Sequence, residues 1–211
     1  KYWWQIKQGG LTLLEQQFSG NFSRVGQQSA SLNKVKREDV ETSDDPFLGN
    51  PLAKIVIVEF VDYKCPNSQK ADPIIQQLVS KYGYKVKVIV RDFPVDSVYQ
   101  GASTLAELAY CSHQQGRFWK MHEALLKNQS DIPSDINVVD IKKIADYAGV
   151  DYNILMKCYA SGKAKIEVNQ DYADALRFGV QGTPTFFVNG KKVEGAVPFS
   201  TWEKAINNYS N

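Results

Sequence analysis

Seven consecutive residues, Ile55-Val-Ile-Val-Glu-Phe-Val61, place the tightest constraint on how this chain folds. The run is β-branched and almost wholly apolar, as expected of a central strand covered on both faces. Glu59 is its exception and needs an explanation of its own. Downstream, Pro66 suits a first helical position, and Ile74, Ile75, Leu78, Val79 and Tyr82 mark one face of a helix ending at Gly83. Pro73 lies inside that helix and is expected to kink it. Lys85 to Val90 alternates into a second strand, and a strand-helix-strand unit makes a parallel pair the default.

Helical signals dominate from Ser97 to Phe178. Leu105, Leu108, Ala109 and Ser112 share a face. Phe118, Met121, His122 and Leu125 share another, and Ile141, Ile144, Ala145 and Ala148 form a third before Gly149. Asp151 can cap a helix through Ile154, Leu155 and Cys158 that Gly162 ends, and a further helix runs to Arg177 or Phe178. Strand pattern returns at Thr185-Phe-Phe-Val188, turns at Asn189-Gly190 and continues to Val193 as a hairpin. Ser200-Thr-Trp-Glu203 reads as a capping box opening the last helix. The expected layout is β-α-β, a helical block, then β-β-α, an α/β class.

At 211 residues the chain is long enough for one sizeable core with an insertion. Apolar residues at 43% and charged residues at 23% are ordinary for a soluble folded protein. The net charge of +2 comes with no basic cluster interleaved with aromatics, so nucleic acid is not an expected partner. Two histidines and three cysteines, with no close pair, do not supply a zinc ligand set, and no metal is expected. The chain begins at Lys1 with no apolar run of signal-peptide length and none of about 18 residues that would cross a bilayer. Tyr2-Trp3-Trp4 beside Lys1 and Lys7 has the composition of a membrane-interface flank. Residues 1–45, including the aperiodic stretch from Gly20, are therefore expected to form a stalk or arm following a removed membrane anchor. Packing of Trp3 and Trp4 on the domain is the alternative. Residues 46–211 are expected to form the folded domain, with a helical insertion at about 96–175.

Cys65-Pro66-Asn67-Ser68 follows the buried strand where a helix begins. Unpaired N–H groups and the macrodipole at a helix start favour the thiolate, which makes Cys65 a candidate nucleophile. An inert buried cysteine is the plainer alternative. Glu59 would pay heavily in desolvation if ionised, so its pKa is expected to be raised; a carboxylate paired with a lysine is the other reading. His113 and His122 are read as structural, and Phe118, Trp119 and Trp202 as core.

The tetrapeptide resembles the Cys-x-x-Cys of thioredoxin-fold oxidoreductases, with Ser68 in place of the second cysteine. Glu59, six residues before Cys65, matches the buried acidic residue of that fold, and Thr183-Pro184-Thr185 matches its threonine and cis-proline. The stretch from Asp45 to Pro66, Gln115-Gly-Arg-Phe-Trp-Lys-Met-His122 and the segment Gly179 to Gly190 are similar to the DsbA-like branch. The chain is thus identified as a member of the DsbA-like thiol-disulfide oxidoreductases over about residues 45–207, a thioredoxin-like fold with an inserted helical subdomain. The resemblance implies Cys65 as nucleophile, Ser68 in the resolving position and Glu59 as proton relay. It further implies Pro66 and Asn67 as residues that tune and flank the nucleophile, and Thr183 with Pro184 as the client-binding edge. It implies a structural disulfide between Cys111 and Cys158, where cysteine arithmetic alone leaves three single pairings open. It also implies no cofactor, an extracytoplasmic location, exported cysteine-containing proteins as clients, and a membrane quinone-linked reoxidase as partner.

Ser68 cannot form the second half of an active-site disulfide, which closes a dithiol oxidase cycle to the chain as it stands. A Cys-to-Ser substitution at 68 in a dithiol enzyme is the preferred explanation. A natural monothiol isomerase or reductase is the alternative, and a peptide-binding holdase with Cys65 incidental is a third. Glutathione-dependent enzymes of a related fold usually carry serine at the first position of the tetrapeptide, where this chain has Cys65, and rank below these.

Overall fold

The computed structural model describes residues 35–210. Five strands, β1 (Phe47–Gly49), β2 (Ile55–Val61), β3 (Val86–Asp92), β4 (Thr185–Val188) and β5 (Lys191–Glu194), form one sheet in the order β1-β3-β2-β4-β5. All seven residues of β2 are buried, because the strand occupies the middle of the sheet with helices on both faces. It runs parallel to β3, from Ile55 opposite Val86 to Val61 opposite Asp92, and antiparallel to β4, with Glu59 opposite Phe186.

The helices are α1 (Arg37–Val40), α2 (Pro66–Tyr82), α3 (Ala102–His113), α4 (Phe118–Lys127), α5 (Val138–Ala148), α6 (Tyr152–Ala160), α7 (Lys163–Arg177) and α8 (Phe199–Ser210). Strand alternation divides the core. Ile55, Ile57, Val86, Val88, Phe186 and Val188 pack with Ile75 and Leu78 of α2 and Trp202 and Ile206 of α8. On the opposite face Val56, Val58, Phe60, Ile89 and Phe187 pack with Ala175 of α7, Phe178 and Val40. A third apolar cluster, built on Leu105, Leu108, Met121, Leu125, Ile141, Ala145, Leu155 and Val168, fills the helical block between β3 and β4. Cys111 of α3 and Cys158 of α6 are joined within it, 47 residues apart. Closing a loop of that length stabilises by about 4 kcal/mol in the chain-entropy model. Among the described residues no helix is long and apolar enough to cross a membrane.

Several elements differ from the sequence reading. The second strand continues beyond Val90 to Asp92, because its ladder with β2 extends through Phe60–Arg91 and Val61–Asp92. β1 is too short to show a period, yet it adds an antiparallel edge to β3. Its Gly49 has φ +90, and a Cβ there would lie 2.2 Å from the Val86 carbonyl oxygen, so only glycine fits. Of the arm expected over 1–45, residues 1–34 lie outside the described residues, with Trp3 and Trp4 among them. Residues 35–45 pack on the sheet: Val40 is buried, and Glu41 accepts from Arg37 Nε at 2.6 Å and pairs with Lys87 Nζ at 3.1 Å. Ser200 does not cap α8, which already begins at Phe199. Glu203 instead accepts from Lys81 Nζ at 2.7 Å and Tyr82 Oη at 2.9 Å, a charged partner outcompeting a backbone N–H. Pro73 is accommodated inside a helix that stays continuous from Pro66 to Tyr82.

The extended end of β3 carries a buried ion cluster. Arg91, 3% exposed, donates from Nε to Asp171 at 2.7 Å and from Nη2 to Asp174 at 2.8 Å, and its Nε lies 3.3 Å from Asp45. One guanidinium thereby ties β3 to α7 and to the segment leading into β1. Asp45, Glu167 and Asp171 converge there, and burial followed by the charge of Asp45 pushes Asp171 up to about 7. Arg91→Met keeps the aliphatic stem but leaves buried carboxylates without their cation. Unfolding in urea should show a loss of about 3–5 kcal/mol at neutral pH; a loss below about 1 kcal/mol would show that the cluster is not a structural tie.

Candidate active site

β2 ends at Val61, and the next four residues form a turn that hands the chain to α2. Asp62 organises it. Its carboxylate accepts from the Lys64 N–H at 2.7 Å and the Val95 N–H at 2.9 Å, while its carbonyl accepts from the Cys65 N–H at 3.0 Å. Burial raises the pKa of this carboxyl, and the backbone N–H groups oppose that shift. The turn delivers Cys65 as the N-cap residue of α2, with extended backbone and Pro66 in the first turn. The sulfur therefore sits at the positive end of a 17-residue helix, at the carboxyl end of a parallel strand.

Cys65 is 4% exposed, and its S–H donates to the Thr183 carbonyl at 3.2 Å. The Thr183–Pro184 peptide bond is cis. Thr183 is half-buried and Pro184 buried, and both lead directly into β4 beside β2. Pro66 and Asn67 are exposed next to the sulfur. Ser68 is fully buried one turn into the helix, where its Oγ accepts from the Asp62 N–H at 3.4 Å. Glu59 lies in β2 behind these residues, 2% exposed. Burial, and then the charge of Asp72, pushes its pKa up to about 8, so the carboxyl holds a proton at neutral pH. A short buried polar chain runs alongside. Tyr63 Oη lies 3.1 Å from His122 Nδ1, and His122 Nε2 lies 3.3 Å from Asp72. The Tyr63 hydroxyl can donate to a bare Nδ1, and a ring proton on Nε2 can then reach the Asp72 carboxylate. Burial holds the Tyr63 hydroxyl well above its ordinary pKa, which keeps that donor protonated.

Two further side chains lock the turn to the helical insertion. Gln129, buried, donates from Nε2 to the Tyr63 carbonyl at 2.8 Å and the Cys65 carbonyl at 3.1 Å. Lys64 Nζ donates to the Ile132 carbonyl at 2.8 Å and the Pro133 carbonyl at 2.9 Å. The structure thus brings Glu59, Cys65, Pro66, Asn67, Ser68, Thr183 and Pro184 to one end of β2. It sets the Cys111–Cys158 disulfide apart, in the insertion. Sequence reasoning missed Asp62, Lys64, Gln129 and Tyr99, whose hydroxyl is held above its ordinary pKa by burial and then by the neighbouring Cys65. An aspartate two residues before a backbone N–H is a turn signal that finds Asp62; Gln129 and Tyr99 carry no local signal at all.

A mixed sheet with helices on both faces, a helix-capping cysteine and a cis-proline beside it define a thioredoxin-fold protein. The comparisons agree. Residues 41–208 match the family model described as Thioredoxin, and the chain belongs to that family. A thioredoxin-like oxidoreductase from Silicibacter pomeroyi is 28% identical and superposes with a TM-score of 0.72, covering 83% of this chain and 98% of its own. The DsbA-like thiol-disulfide exchange protein alpha-DsbA2 from Wolbachia pipientis shares the fold at 20% identity and a TM-score of 0.72, over 82% of this chain and 90% of its own. So does a periplasmic thioredoxin-like protein from Salmonella enterica serovar Typhimurium, at 24% identity and 0.66, over 81% and 93%. Part of a Na(+)/H(+) antiporter, NhaA 3 of Salinispora tropica, is 31% identical over 167 residues, 79% of this chain and 25% of that protein. The chain spans about a quarter of the length of the curated relatives it matches.

The raised pKa of Glu59 sets a pH dependence whose sign follows from linkage. The folded chain keeps a proton that the unfolded chain releases near 4.5, so stability falls as pH rises from there to about 8 and levels above it. Glu59→Gln removes this term. Relative to the unsubstituted chain, the variant should gain about 2–4 kcal/mol between pH 5 and pH 8.5 in urea unfolding; a difference that does not change with pH would refute the buried, protonated carboxyl.

Proposed function

We propose that the protein is an extracytoplasmic thiol-disulfide oxidoreductase that acts on cysteines of exported proteins through Cys65. The observation that carries this reading is the placement of the Cys65 sulfur at the start of α2, facing the Thr183–Pro184 edge. The attacking form of a cysteine is its thiolate. The thiolate attacks one sulfur of a client disulfide, so that a Cys65–client bond forms and the client S–S bond breaks. The displaced client sulfur leaves as a thiolate and takes up a proton. Glu59, protonated and buried behind the turn, is the proposed source of that proton. A second client thiolate then attacks the client sulfur of the mixed disulfide, releases Cys65, and leaves a rearranged client with no net gain or loss of electrons.

Ser68 cannot take the resolving role, and its Oγ accepts from the Asp62 N–H. A serine replacing cysteine in a dithiol oxidase accounts for it, with a natural monothiol isomerase as the alternative. Thr183 and Pro184 form the proposed client-binding edge, with Pro66 and Asn67 beside them. The extracytoplasmic assignment is supported by the Cys111–Cys158 disulfide, which persists in oxidising compartments. A quinone-linked membrane reoxidase would serve the dithiol form.

Ser68→Cys tests the reading. With a reduced dithiol peptide in glutathione buffer, the variant should raise the oxidation rate by at least about tenfold, and peptide mapping should find Cys65 joined to the introduced cysteine. No gain would remove the dithiol explanation and leave the monothiol one. Failure of the unsubstituted chain to form any mixed disulfide through Cys65 would end the redox reading and favour a peptide-binding role.

A further inference from the structure

His122 lies on α4, in the insertion, is 2% exposed, and takes no part in the proposed chemistry. Its two ring nitrogens nevertheless reach the two elements that fix the nucleophile. Nδ1 lies 3.1 Å from Tyr63 Oη, in the turn that delivers Cys65, and Nε2 lies 3.3 Å from Asp72 Oδ1, on the helix that Cys65 caps. Asp72 sits about two turns down α2 from Cys65. Three aromatic rings hold the imidazole in that orientation: Tyr63 meets it edge-on with ring centres 5.5 Å apart, Trp119 lies at 5.4 Å and Phe118 at 5.7 Å. The backbone of the same turn is held from just beyond α4, where Gln129 donates to the Tyr63 and Cys65 carbonyls.

We propose that His122 is a positioning residue for Cys65, its ring bracing the turn that carries the sulfur, through Tyr63, against the helix that the sulfur caps, through Asp72. The proposal rests on Cys65 being the nucleophile. The contacts close a ring: from Cys65 back to Tyr63, across to His122, on to Asp72 and up α2 to Cys65 again. Packing alone does not call for these polar groups, since a phenylalanine fills the space of Tyr63 and an aliphatic side chain most of the space of the imidazole. A buried phenol and a buried imidazole are costly unless their polar atoms are used, and here each is used toward the turn or the helix. With Nδ1 bare and the ring proton on Nε2, the phenol and both ring nitrogens are satisfied at once. The bracket bears on the chemistry because the sulfur has one direction to serve. It faces the Thr183 carbonyl at 3.2 Å, beside the proposed client edge, and attack on a client disulfide held there requires an aimed sulfur. Asp62 and Gln129 fix the backbone of the turn, and His122 fixes its aromatic side chain.

Two rates at Cys65, measured in the full chain at a temperature where each variant is folded, test the bracket: exchange with a disulfide-linked peptide and alkylation by iodoacetamide. Exchange needs the sulfur aimed along the Thr183 edge, whereas iodoacetamide is small and needs only an accessible thiolate. Tyr63→Phe, which deletes a single hydroxyl, should slow exchange by about threefold to tenfold and leave alkylation within about twofold. Combined with His122→Leu, it should exchange no more slowly than the slower single variant, because the two side chains act as one chain. His122→Asn, which keeps an acceptor close to the Nδ1 position, should recover part of the rate lost in His122→Leu. Unchanged exchange in Tyr63→Phe overturns the proposal. So do equal changes in both rates, which mean that the chain governs access or ionisation rather than direction, and so do effects that multiply in the double variant. Failure of the underlying reading looks different: the unsubstituted chain would then form no mixed disulfide with the peptide, whatever the substitutions do to alkylation.

Discussion

The carboxylate of Asp62 is the contact on which the rest of the site depends. A strand buried on both faces ends abruptly at Val61, and the chain must turn within four residues to begin α2 with a cysteine at its cap. A buried carboxylate that takes the Lys64 and Val95 N–H groups closes that turn and fixes the neighbouring loop in one step. Its cost is desolvation, offset by backbone N–H groups that would otherwise be unsatisfied in the same place. Removing the carboxylate would free two backbone donors at once, on the two segments that meet at the sulfur.

The helical insertion is more than a lid on the sheet. It builds an apolar cluster with its own covalent tie, and it reaches the Cys65 turn through two side chains, Gln129 and Lys64, that donate to backbone carbonyls across the contact. Backbone contacts of this kind are insensitive to which residues occupy positions 63 and 65. The turn can therefore exchange its chemistry without losing its shape.

Much of this was legible in the chain. The apolar run of β2, the Asn189-Gly190 turn and the spacing of Ile141, Ile144, Ala145 and Ala148 carry their period locally, and each stands where that period places it. Asn189 and Gly190 both take positive φ, as the two-residue hairpin turn requires. What escaped is short or non-local. β1 has three residues and no period, and the segment around Val40 is held by one buried side chain and the pair of partners on Glu41. The capping box read at Ser200 failed because Glu203 found cationic and phenolic partners on α2, more than 120 residues away in sequence. At the site, the residues around Cys65 could be read off one tetrapeptide and a resemblance. Tyr99 and Gln129 arrive from other elements, and only the fold brings them there.

Under the proposed function, the disulfide in the insertion has a meaning of its own, because the molecule would attack such bonds in other proteins. A chain with one reactive thiol and one internal disulfide is exposed to its own chemistry: Cys65 exchanging with Cys111 or Cys158 would lock it in a wrong pairing. Cys111 is fully buried and Cys158 is 9% exposed, within the apolar cluster of the insertion, while Cys65 is anchored at the cap of α2. Exchange within the chain would demand that the insertion open first. On that reading burial acts as insulation, keeping the internal bond out of reach of the thiol proposed to attack others.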